Sequence, residues 1–174
     1  MLPESIESLH RLLKENDIGV LLAGGWVVNA HGYGRQTNDV DWVACDEAQE
    51  RIQDLMTSLG FIPGSTSNLV TRFTSVALTI PTVDFLWVDR ATFAKLDTKD
   101  SFSGRHGTVP LLRLDHLIAM KIHALKSHEE RQGRDLLDIR FLLKANPGVL
   151  SDQELRKLCA VHGPPGAYDL INES

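Results

Sequence analysis

The sequence predicts an α+β fold: a mixed, twisted β-sheet core flanked by helices, with a helical extension toward the C-terminus. Three observations predict it. Segments of helical spacing alternate with short apolar runs at first, strand-like runs then cluster between residues 69 and 88, and from about residue 111 the spacing is helical. A chain of 174 residues buries a real core, and the change of pattern divides it into a core over 1–110 and a helical extension over 111–174 packed on that core.

The elements follow in order. Pro3 stands near a helix start, and Ile6, Leu9, Leu12 and Leu13 repeat at helical spacing to about Asn16. "IGVLLA", residues 18–23, reads as a buried strand, and Gly24-Gly25 turn it into a helix running to about Tyr33. Residues 39–44 form a further strand. Asp46 is expected to cap the next helix through a D-x-x-Q run to Gln49, with Ile52, Leu55, Met56 and Leu59 as its apolar stripe and Gly60 as its stop. Strands are expected at 69–74, 76–80 and 82–88, and helices at about 115–128, 132–145 and 151–161. The Pro/Gly-rich tail "VHGPPGAYDLINES" reads as a loosely ordered end.

Composition narrows the function classes. Eighteen basic against 23 acidic residues leave a net charge of −5, which argues against binding to duplex DNA through phosphate contacts alone. Cys45 and Cys159 have neither a CxxC spacing nor a disulfide framework, which suits a reducing compartment. Acids occupy the N-terminus where a signal peptide has a basic start, and the apolar stretch from Ile18 to Ala30 is too short to span a bilayer. The expectation is a cytoplasmic protein without a membrane partner.

The informative anomaly is "NDVDWVA", in which Asp39 and Asp41 interrupt a strand that should bury apolar residues. Residues two apart share a strand face, so the two carboxylates project together with Val43 while Val40, Trp42 and Ala44 face the other way. Two adjacent carboxylates repel each other and are costly to bury, and a divalent cation resolves both problems. Mg²⁺ (or Mn²⁺) suits such a pair, since it keeps some waters and takes further ligands from substrate phosphates. The alternative is a strand end with two solvated acids. Asp84, flanked by apolar residues in "TVDFLWV", is a third acid in a strand; it is a further metal ligand, or else a strand-edge acid or a carboxylate neutralised by an internal salt bridge. Gly24-Gly25 after a strand let backbone N–H groups approach a triphosphate, or make a plain tight turn. Arg35 and Thr37 offer a phosphate contact and a hydroxyl ligand, or belong to a solvated loop.

In the second half, Leu114, Leu117, Ile118 and Leu125 set an apolar stripe with Lys121 inside it. That lysine either snorkels to the edge or points its ammonium into a cleft. Asp135, Asp138 and Leu142 share one helix face, which lets Asp135 orient Lys121 by a salt bridge; Asp138 reads as structural. The seven histidines show no H-x₃-H pair, and His123 and His128 are poorly aligned for one metal.

The ordered set Gly24-Gly25, then R-x-T-x-D-x-D over Arg35–Asp41, then Asp84, resembles the nucleotidyltransferase superfamily of DNA polymerase β in its minimal form, over about residues 20–90. Many members have Gly-Ser where this chain has Gly24-Gly25. The Gly-Gly pair, together with "LRLDHLIAMKIHALKSHEERQGRDLLDIRFLL", is similar to the AbiEii-like toxin and abortive-infection branch. The resemblance implies a nucleotidyltransferase core in which Mg²⁺ on Asp39 and Asp41 holds a nucleoside triphosphate and Asp84 serves a second metal. It further implies that Gly24, Gly25, Arg35, Thr37 and Lys121 contact the triphosphate, and that Asp135 is an active-site acid. The implied acceptor is RNA or tRNA beside a cognate antitoxin protein, and seven Lys/Arg against five Asp/Glu over 113–144 lean slightly that way. "GGW" with "GRQTNDVDW" also looks like aminoglycoside or lincosamide adenylyltransferases, which implies a small-molecule acceptor. A non-catalytic protein that binds nucleotide or a protein partner is the third reading.

Overall fold

The computed structural model describes residues 4–75, 82–96, 101–103, 107–126 and 129–173. They divide into two compact units, 1–27 with 36–112 and 28–35 with 113–174. The fold is α+β, as the sequence predicts.

The first unit is built on a five-stranded sheet. Its strands are β1 (Val20–Leu22), β2 (Asp39–Cys45), β3 (Phe61–Thr66), β4 (Val70–Ser75) and β5 (Thr82–Val88), in the order β1-β2-β5-β4-β3. β2 and β5 run parallel and every other pair is antiparallel, so the sheet is mixed with β5 at its centre. Helix α1 (Glu4–Glu15) buries Ile6, Leu9 and Leu13, and a single residue, Ala23, separates β1 from α2 (Gly24–Ala30). Helices α3 (Gln49–Ser58) and α4 (Arg90–Leu96) follow β2 and β5, and the short strands β6 (Ser101–Ser103) and β7 (Thr108–Pro110) pair with each other. The core holds Leu21, Leu22, Trp42, Phe73 and Phe85, with Phe73 edge-on to Phe85 at 5.7 Å between ring centroids.

The second unit is helical: α5 (Leu114–Ala124), α6 (Glu129–Ala145), α7 (Asp152–His162) and α8 (Ala167–Asn172), together with the segment 28–35. Leu117, Ile118, Ile122, Ile139 and Leu142 are fully buried in it.

Several local expectations change. The helix after Gly24-Gly25 stops at Ala30, and Gly32 at φ +99° carries the chain away before Tyr33. Asp46 is not a cap: it lies inside a 3₁₀ turn over Asp46–Ala48 that leads into α3, and neither preceding cap residue makes a side-chain cap bond. The capping box belongs instead to Ser151 and Glu154, at the start of α7. β3 is missing from the sequence reading because Pro63 and Gly64 look like breakers; an exposed edge strand with a register shift between Pro63 and Thr66 tolerates both. The strand expected at 76–80 lies outside the described residues. The tail is ordered: Gly166 at φ +77° starts α8, and Arg140 donates to the carbonyls of Leu170 and Ile171 at 2.6 and 3.1 Å. Among the described residues no helix is long and apolar enough to cross a membrane.

Candidate active site

In the first unit the three sequence-predicted acids meet on one sheet face. β2 pairs with β5 in a register that sets Asp41 opposite Asp84 and Asp39 opposite Thr82, and paired residues of neighbouring strands share a face. Asp39 and Asp41 are half-buried, whereas Asp84, one strand deeper in the sheet, is 4% exposed. Thr37 donates its hydroxyl to Oδ1 of Asp39 at 3.0 Å, so it orients that carboxylate directly.

Gly24 is required where it stands. Its φ of +61° is a left-handed conformation, and a Cβ there would lie 1.8 Å from Oδ2 of Asp41. The Ala23 N–H donates to the Asp41 carbonyl at 2.8 Å, which seats the start of α2 on β2. Gly25 is buried in the first turn of the helix. The glycine pair thus brings main chain into contact with the Asp41 carboxylate.

A fourth charged residue, which the sequence reading did not single out, completes the cluster. β4 pairs with β5 so that Arg72 stands opposite Asp84. Its Nε donates to Oδ1 at 2.8 Å and its Nη2 to Oδ2 at 2.6 Å, a bidentate fork on a nearly buried carboxylate. The Arg72 guanidinium is held well above its ordinary pKa, by the hydrogen bond to Asp84 first, then by the charge of Asp84, with Asp39 and Asp41 adding to it. The signal for Arg72 in the sequence is a lone arginine in "VTRFTS"; its partner depends on strand register, which local sequence does not reveal.

The other predicted residues lie in the second unit. Lys121 is 7% exposed, and its Nζ donates to Oδ1 of Asp135 at 2.7 Å and lies 2.6 Å from Oδ2 of Asp138. Asp138 is fully buried and also accepts from Arg35, Nε to Oδ1 at 2.8 Å and Nη2 to Oδ2 at 3.0 Å. The Asn29 side chain holds the Arg35 loop, accepting from its backbone N–H and donating to its carbonyl, both at 2.9 Å. Arg35 therefore does not belong to a solvated loop, and its fork is directed at Asp138. Lys121 does not snorkel to an edge but sits between two aspartates.

No protein-family model and no curated protein sequence matches the chain. Solved structures do. The chain is similar to the lincosamide antibiotic adenylyltransferase LnuA in its lincomycin-bound form, with a TM-score of 0.63 and 11% identity over 84% of this chain and 99% of that one. It is similar to the antibiotic-resistance factor ANT(2'')-Ia, with a TM-score of 0.66 and 13% identity over 90% of this chain and 88% of that one. A third likeness is to an antigenic nucleotidyltransferase-like protein from Paracoccidioides brasiliensis, with a TM-score of 0.59 and 19% identity over 96% and 89% of the two chains. The fold is that of the nucleotidyltransferases.

On this nucleotidyltransferase fold the acids suit a divalent cation unequally. Asp39 and Asp41 are two carboxylates on one face, the donor type and number that Mg²⁺ accepts when phosphates and water fill its other positions. Asp84 differs from this pair in that both of its oxygens accept from Arg72. Among the described residues no three His, Cys, Asp or Glu side chains form a metal-binding group. The salt-bridge alternative raised for Asp84 is the arrangement seen.

Proposed function

We propose that this protein is a metal-dependent nucleotidyltransferase that moves a nucleoside monophosphate from a nucleoside triphosphate to an acceptor hydroxyl. The observation that carries the reading is the row of acids on adjacent strands of a nucleotidyltransferase fold, with the Gly24 main chain packed against Asp41. When bound at Asp39 and Asp41, Mg²⁺ supplies charge neutralisation for the phosphates. Thr37 keeps the Asp39 carboxylate oriented, and the absence of a side chain at Gly24 leaves the Asp41 carboxylate its place against the turn. In this reading Asp84 accepts the proton of the acceptor hydroxyl. The acceptor oxygen forms a bond to the α-phosphorus, the bond to the β-phosphate bridging oxygen breaks, and pyrophosphate leaves.

For the acceptor, the motifs shared with the AbiEii-like branch support RNA, tRNA first, in a toxin–antitoxin or abortive-infection setting. The second reading is an antibiotic hydroxyl. It draws on two neighbours, LnuA with its bound lincomycin and ANT(2'')-Ia, solved in complex with adenylyl-2''-tobramycin.

Incubation with Mg²⁺ and each α-³²P-labelled nucleoside triphosphate, with total tRNA in one arm and lincomycin or tobramycin in another, tests the proposal. Transfer to RNA that falls at least ~100-fold in an Asp39→Ala/Asp41→Ala variant is the expected outcome, since positioned charge supplies factors of that size. Transfer to a drug instead would move the acceptor to the second reading. Transfer that persists in a folded double variant would overturn the assignment.

A further inference from the structure

Asp41, Asp84 and Arg72 form one continuous row across three adjacent strands, β2, β5 and β4, and Asp39 lies two residues along β2 on the same face. The Asp84 side chain is 6% exposed, so its charge needs a permanent partner, and Arg72 supplies one through both oxygens. A guanidinium does not lose its proton in a protein, so this partner is fixed and does not exchange with solvent as a metal ion does. The fields of Asp39 and Asp41 also reach Arg72, which puts its charge within the acid cluster. Three carboxylates are then matched in charge by one guanidinium and one divalent ion.

We infer that Arg72 is a positioning residue that fixes Asp84 and stands in for a second divalent cation, so that the cluster of Asp39, Asp41 and Asp84 takes one divalent ion. The inference rests on the nucleotidyltransferase reading and specifies its metal requirement. It separates the roles of the acids: Asp39 and Asp41 hold the metal, and Asp84 is presented by Arg72 as an oriented carboxylate.

The test counts bound Mn²⁺ per chain by electron paramagnetic resonance of the free ion, on the full chain with Mn²⁺ alone. Wild type binds one Mn²⁺, and Asp39→Asn/Asp41→Asn binds none. Arg72→Gln gains a second, weaker Mn²⁺ at the released Asp84, and Arg72→Lys, which keeps the charge, returns the count to one. Asp84→Asn, which removes no ligand of that ion, keeps a count of one Mn²⁺, and this arm decides the matter if Arg72→Gln does not fold. Two Mn²⁺ in wild type, a count of one in folded Arg72→Gln, or loss of the bound Mn²⁺ in folded Asp84→Asn would overturn the inference while leaving the functional reading intact. No Mn²⁺ on wild type would overturn both.

Discussion

Gly24 and Gly60 both adopt positive φ, +61° and +84°, but their surroundings differ. A Cβ on Gly60 meets nothing within 4 Å, whereas one on Gly24 collides with the Asp41 carboxylate. Gly60→Ala should therefore cost only the left-handed strain, about 1–2 kcal/mol. Gly24→Ala should cost more, because either Asp41 or the turn has to move. Urea denaturation of the two variants measures the difference, and equal losses would contradict the close approach. At this scale the acids were legible: a carboxylate in an apolar strand is conspicuous, and period-two spacing places Asp39 and Asp41 on one face. The partners were not. Arg72 meets Asp84 through the pairing of β4 with β5, and Arg35 meets Asp138 across 103 residues of chain. Neither distance has a local signature.

Among the elements, α6 shows how one helix face carries two kinds of charge. Asp138 is fully buried between Arg35 and Lys121, while the Asp135 side chain is 15% exposed and, among the described residues, pairs with Lys121. Removing one member of a buried charge network leaves its partners uncompensated, at a cost of about 3–5 kcal/mol. Asp138→Ala should lose stability on that scale and Asp135→Ala clearly less, as read by thermal or urea unfolding. Comparable losses would mean that the two aspartates carry the same structural load. Helical spacing gave α1, α3, α5, α6 and α7 to within a few residues, because a long amphipathic stripe is a repeated signal. The short elements escaped. α4 has seven residues, β6 and β7 have three each, and α8 depends on Arg140 reaching its last carbonyls from α6.

For the whole molecule, the sequence prediction of a mixed sheet with helices and helical C-terminal elements agrees with the architecture, and the motif order led to the nucleotidyltransferase fold. Less legible was the allocation of residues 28–35 to the helical unit, which follows from bonds such as Asn146 Nδ2 to the His31 carbonyl at 3.0 Å. On the proposed function, a net charge of −5 makes the local cation at the acids decisive, since the overall field repels a polyanionic triphosphate. The most direct measurement is equilibrium dialysis of each α-³²P-labelled nucleoside triphosphate against the full chain, with Mg²⁺ or with EDTA, for wild type and Asp39→Asn/Asp41→Asn. It needs no knowledge of the acceptor. Retention of at least one nucleotide that requires Mg²⁺ and disappears in the double variant is the predicted result. Retention that is the same in EDTA, or unchanged in the folded double variant, would contradict the account.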